Sequence, residues 1–161
     1  MRILGIDCGS QTTGYGVIDS DGTRHALVHF GVIQTNAKDE FAQRLLTIGA
    51  GIRDVVARFA PEEAAVEDTF VSSNARSALK LTHVRGVALF VLAEAGLTVG
   101  EYPPAQVKMA LVGNGRAEKE QVQWMVRVLL KLPEPIRQLD ASDALAVAIC
   151  HAARRPVGIT R

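Results

Sequence analysis

The chain has 161 residues, 48% of them hydrophobic, 22% charged and only 5% aromatic, with 18 Lys plus Arg against 17 Asp plus Glu. That length and balance exclude a disordered or low-complexity chain and lead us to expect a single domain over residues 1–161, able to bury roughly 70% of the surface its unfolded state exposes. A net charge of +1 means that any nucleic-acid reading must rest on where the charges sit, not on their sum.

The chain starts on an apolar run, Arg2 to Asp7, that reads as a buried strand ending on a carboxylate. A glycine-bearing loop with Gly9, Gly14 and Gly16 is expected to follow. Tyr15 to Asp19 and Ala26 to Gln34 read as two further strands, joined by the Asp-Gly turn of "SDGT", so three antiparallel strands are expected. From Glu40 to Ala60, apolar residues recur every three or four positions, from Phe41 and Leu45 to Phe59; this is one face of an amphipathic helix, stopped by Pro61. A short strand, Ala64-Ala65-Val66, then ends like the first on acid, Glu67, followed by Asp68.

Ser72-Ser73-Asn74 caps a long helix that reaches about Ala95 and stops at Gly96. Its second half, "VRGVALFVLAEAG", is apolar on most faces, which fits either a central core helix or a subunit interface. Leu97 to Tyr102 is a further strand. "AQVKMALVG" is a short helix and "NGRAEK" a basic loop; Lys119 to Leu132 and Leu139 to His151 complete the chain as helices. The order predicts an α/β fold: one mixed sheet, antiparallel hairpin strands on one side and parallel strands on the other, flanked by helices. Two cysteines without a C-x-x-C spacing, and no secretory leader read at the start, point to a reducing cytoplasmic setting. The longest apolar stretches are too short for a membrane span, so no membrane association is expected.

Asp140 and Asp143 in "QLDASDALAVAICH" are three apart, on one face of a helix and in its first turn. Alone, the pair reads as a negatively charged helix start. Beside Asp7 and Glu67 it reads differently, because four converging carboxylates repel strongly unless cations separate them. Hard oxygen donors without a His or Cys cluster suit Mg²⁺ or Mn²⁺ better than zinc. Two such ions about 3.5 to 4 Å apart can activate water and stabilise the leaving oxygen of a phosphodiester.

Five segments, "GIDCGSQTTGYGVI", "AAVEDTF", "NARSALKLTHVRGVAL", "QVKMALVGNGRAEKEQV" and "LDASDALAVAICH", together resemble the RuvC family of Holliday-junction resolvases, in this order and over nearly the whole chain. The resemblance implies an RNase H-like fold, a homodimer and paired Mg²⁺-dependent cuts at a four-way DNA junction, in recombination and repair. It places the catalytic and metal-binding acids on Asp7, Glu67, Asp140 and Asp143, with two Mg²⁺ per subunit, and puts Lys108 and Lys119 near the scissile phosphate. It puts an aromatic at Phe70, where stacking on an unpaired base is available. It also brings in the branch-migration proteins RuvA and RuvB as partners. Arg76, Lys80, Arg116 and the tail "HAARRPVGITR" are further candidate phosphate contacts, although surface basic residues are usually just solvated. His83 and His151 are expected to be structural or exposed.

The chain departs from the family where Cys8 stands in place of a proline after the first aspartate, which should loosen that loop and bring a thiol near the metals. Asp68 reads as a solvated loop acid. The alternatives are a related RNase H-like nuclease of the YqgF type, a sugar-kinase or actin-like ATPase, and a non-catalytic junction-binding module. The ATPase fold uses two such domains, and the binding module requires one of the four acids to be missing.

Overall fold

The structure is a computed structural model and describes residues 1–68 and 74–154. Its strands are β1 (Arg2–Asp7), β2 (Thr12–Ser20), β3 (His25–Gln34), β4 (Glu63–Glu67) and β5 (Thr98–Tyr102). They form one sheet in the order β3-β2-β1-β4-β5, with β1–β2 and β2–β3 antiparallel and β1–β4 and β4–β5 parallel. The helices are α1 (Phe41–Phe59), α2 (Ala75–Glu94), α3 (Pro104–Val112), α4 (Lys119–Leu129) and α5 (Leu139–Arg154).

Strand side chains alternate between faces, and the two cores follow that alternation. Leu4, Ile6, Val17, Ala64 and Val66 pack against Ile48 and Ile52 of α1 and Val84, Ala88 and Leu92 of α2. Ile3, Ile18 and Ala65 face the other way, into a core built from α3, α4 and α5. Two residues on from Ala65, and four from Ile3, the same alternation points Glu67 and Asp7 to the α5 side.

α5 is covered on nearly every side, with Ala141, Ala144, Leu145, Ala148 and Ile149 all at or near zero exposure. It lies directly on the sheet because the strand positions beneath it lack side chains. A Cβ placed on Gly5 would overlap the Ala144 carbonyl and come 2.9 Å from Ala148 N; one on Gly14 would overlap the Asp140 carbonyl and come 2.8 Å from Ala141 N. Gly14 is therefore not a loop residue, as expected from the sequence, but a member of β2 like Gly16, and β2 begins at Thr12 rather than Tyr15.

At its other end α5 is tied by a buried polar relay. His151 places Nε2 2.7 Å from the Glu63 carboxylate at the start of β4, and Nδ1 2.8 Å from the Tyr102 hydroxyl at the end of β5. The expectation of a structural His151 holds. Asn74 caps α2 as expected, accepting from the backbone N–H groups of Arg76 and Ser77. α4 stops at Leu129, three residues before the expected end, as Lys131 turns into a left-handed conformation at φ 54°.

Candidate active site

Three elements bring the four acids together. β1 ends on Asp7, and β4, its parallel neighbour with Ile6 opposite Val66, ends on Glu67. Across the antiparallel pair, Asp7 stands opposite Gly14. The Asp140 backbone rests on that same Gly14, so the first turn of α5 delivers Asp140 and Asp143 to the ends of the two strands.

The charges of these groups perturb one another. Burial first, then Glu67, Asp143 and Asp140, push the Asp7 carboxyl up to about 8, against a smaller opposing pull from Lys119. Burial and Asp143 push Glu67 up to about 7, opposed by Lys119 and Lys108. Asp143 is raised by burial, with Lys119 acting in the opposite direction. A carboxylate ordinarily ionises near 4, so this site holds protons that an incoming cation would replace.

Lys119, at the start of α4, places Nζ 3.8 Å from Asp143. Together with Lys108 of α3 it lines a cleft of about 240 Å³ whose floor includes Glu67, Val107, Val122, Asp143 and Ala146. The structure thus gathers Asp7, Glu67, Asp140, Asp143, Lys108 and Lys119.

The other expected contacts are not part of this cleft. Arg76 and Lys80 are exposed on the first turns of α2, and the Lys80 ammonium lies 5.7 Å from the Phe41 ring centroid. Arg116 is exposed in the turn before α4. Phe70 and the tail beyond Arg154 lie outside the described residues.

Two expectations need correction. Cys8 does not line the cleft: its side chain belongs to the apolar layer under α1 and α2, and burial, reinforced by Asp7, pushes its thiol up to about 12. Nor is the loop after Asp7 loosely held. The Thr13 hydroxyl donates to the Gly9 carbonyl at 2.8 Å, and the Thr35 hydroxyl donates to the Ser10 carbonyl at 2.8 Å. Asp68 pairs with the mostly buried Arg85 of α2 at 3.4 Å, and the same guanidinium pairs with Glu101 of β5. The sequence reading passed over Arg85; its signal was a lone arginine within the apolar run "LTHVRGVAL".

Among the described residues no three His, Cys, Asp or Glu side chains stand close enough together to hold one ion between them. The donor set nevertheless fits a hard divalent cation: the acids are oxygen donors, they are partly buried, and Glu67, Asp143 and Asp140 each raise the proton affinity of another of them.

The family model for crossover junction endodeoxyribonuclease RuvC matches residues 3–151. The chain belongs to the RuvC family. RuvC of Syntrophotalea carbinolica is 57% identical over 152 residues, covering 94% of each protein. RuvC of Geobacter metallireducens is 55% identical over 94% of this chain and 92% of its own. Thermus thermophilus RuvC in complex with Holliday junction substrate superposes with a TM-score of 0.90 at 39% identity, covering 94% of this chain and 93% of that one. The RuvC architecture and the endodeoxyribonuclease class follow from these matches, which favour RuvC over the YqgF-type alternative. The expected RNase H-like mixed sheet is the one observed. None of the helices among the described residues is long and apolar enough to cross a membrane.

Proposed function

We propose that this chain resolves four-way (Holliday) DNA junctions by paired, symmetric phosphodiester hydrolysis, using Asp7, Glu67, Asp140 and Asp143 as metal ligands. The observation that carries the reading is that Glu67 of β4 and Asp143 of α5, both with raised proton affinity, line a cleft edged by Lys108 and Lys119, and that both act on the raised carboxyl of Asp7 at the end of β1. Asp7, Glu67, Asp140 and Asp143 would hold two Mg²⁺, or Mn²⁺ in their place, which would supply an activated water and charge stabilisation for the leaving oxygen.

The protein's own groups do the rest. Asp7 and Glu67, fixed at neighbouring strand ends, define one edge of the site, and Asp143 on the rigid α5 defines the other. Lys119 and Lys108 offset the carboxylate charge and receive the anionic phosphate. Pro104, Val107 and Val122 restrict water at the cleft wall.

A two-fold junction calls for two identical sites, which a symmetric homodimer presents. α2 has the surface for it: Leu79 and Phe90 are each 62% exposed and lie beside Leu45, His83 and Val87 around an apolar hollow of about 420 Å³. Residues 1–161 act as a single nuclease domain in the cytoplasm, with RuvA and RuvB as branch-migration partners and Phe70, Arg76, Lys80 and Arg116 as further DNA contacts.

The test is cleavage of a synthetic mobile four-way junction with Mg²⁺ or Mn²⁺, comparing the unsubstituted protein with Asp7→Asn. Symmetric nicks on the junction, absent on linear duplex and lost in Asp7→Asn, are expected. Junction binding without cutting under both metals would replace the catalytic reading with a binding role.

A further inference from the structure

Among the described residues Arg44 is the only lysine or arginine that is buried, with 7% of its surface exposed. It belongs to the first turn of α1, in the layer opposite the four acids, and it reaches the loop that leaves Asp7. Its Nη2 donates to the Ser10 carbonyl at 2.5 Å, and its Nε lies 3.3 Å from the Thr35 hydroxyl. That hydroxyl donates to the same Ser10 carbonyl at 2.8 Å, while Thr35 N–H donates to the Gln11 carbonyl at 2.9 Å. The guanidinium carbon stands 5.9 Å from the Phe41 ring centroid.

A guanidinium withdrawn from water is costly unless it is hydrogen-bonded. Bracing α1 against β3 needs no such group, because an aliphatic side chain fills that space. What an aliphatic side chain cannot do is hold a carbonyl. Ser10 is three residues past Asp7, in the connection between β1 and β2, and its carbonyl is held by two donors at once. A carboxylate at a strand end is aimed by its own strand on one side and by this connection on the other.

We infer that Arg44 is a positioning residue for cleavage: by holding the Ser10 carbonyl it fixes the β1–β2 connection and with it the aim of the Asp7 carboxylate. This rests on the reading of Asp7 as a catalytic acid. Arg44 touches no reacting atom and acts only through the loop.

Arg44→Lys keeps the charge but not the two-pronged geometry, Arg44→Met removes both, and Thr35→Val removes the second donor to Ser10. Each variant is compared with the unsubstituted protein for melting temperature, for kcat and KM on a four-way junction, and for amide hydrogen exchange in the segment from Cys8 to Thr12. The expected result is a kcat about ten- to a hundredfold lower in Arg44→Lys at a temperature where it remains folded, with KM nearly unchanged. Exchange is expected to quicken in the Cys8 to Thr12 segment and not along α1, and Thr35→Val to move in the same direction by less. If Arg44→Met does not fold, Arg44→Lys and Thr35→Val decide. A folded Arg44→Lys with kcat within about twofold of the unsubstituted protein would overturn the inference. So would faster exchange centred on α1, since Arg44 would then only anchor its own helix. Failure of the unsubstituted protein to cut overturns the functional reading itself; cutting by Arg44→Lys at close to the unsubstituted rate overturns the role of Arg44 alone.

Discussion

Gly14 of β2 supports the backbone of Asp140 directly: a Cβ at Gly14 would overlap the Asp140 carbonyl and lie 2.8 Å from Ala141 N. The missing side chain sets the height of the first turn of α5 above the sheet, and so the distance from Asp140 and Asp143 to Asp7. Gly14→Ala is expected to lift that turn, lowering stability by about 1–3 kcal/mol, because backbone on both sides leaves nothing soft to yield. Cleavage should fall by more than the stability loss accounts for. Denaturant melts together with kcat on a four-way junction check this; normal kcat in a destabilised protein would show that α5 regains its position.

Asp7→Asn should abolish cleavage and at the same time stabilise the metal-free protein above neutral pH. The native carboxylate is buried beside Glu67, Asp143 and Asp140, and an amide carries no charge to repel them. The two proteins should melt at similar temperatures near pH 5 and diverge near pH 8.5, the variant melting higher. Equal melting at both values would mean that Asp7 feels little of its neighbours' charge.

The metal-free protein should also lose stability as pH rises from about 4 to about 8. With Asp7 raised to about 8 and Glu67 to about 7, the folded state holds protons that the unfolded chain has already released near pH 4. Fewer protons on the unfolded chain make the slope of stability against pH negative over that window, and flat above it. Added Mg²⁺ should cancel the loss at pH 8, since a cation bound by the acids replaces the protons. Thermal melts in chelator and in Mg²⁺ across this range read both effects.

Lys119 lowers the proton affinity of Asp7, Glu67 and Asp143 alike. Lys119→Met is therefore expected to shift the acidic limb of the pH–kcat profile to higher pH, besides lowering kcat. The side chain is 73% exposed, so the shift should shrink as salt is raised. A lower kcat with an unmoved limb would confine Lys119 to contact with the phosphate.

Phe90→Glu places a charge on the most exposed apolar part of α2. Sedimentation should show a monomer, and junction products should change from paired to single nicks. A dimer that survives the substitution would place the subunit interface elsewhere.

Much of the site was legible in the sequence because strand alternation and helix spacing are local. The run Ile3-Leu4-Gly5-Ile6 identifies β1 and puts Asp7 at its end, Ala64 to Val66 does the same for Glu67, and a spacing of three pairs Asp140 with Asp143. Gly14 escapes a sequence reading because a glycine's local meaning is a break, whereas its own is tertiary: it belongs to the strand that α5 lies on. Nearness in sequence to Asp7 puts Cys8 beside the metals, but just past the end of β1 its side chain turns into the layer under α1 and α2. Arg44 stands at helical spacing with Phe41 and Ile48, on the buried face of α1, so its pattern hinted at burial. Its target, a carbonyl 34 residues away, left no trace in the sequence.

The Glu63–His151–Tyr102 relay gives α5 a second fixed point, at the opposite end from Gly14. A helix pinned at one end can still slide or tilt about the pin; pinned at both, it behaves as a gauge of set length laid across the sheet. One end of that gauge is read against β1 and β2 and the other against β4 and β5, so the gap between Asp143 and Glu67 is a dimension of the whole scaffold. Substitutions some distance from the cleft, at His151 or Tyr102, would then detune the site without touching it.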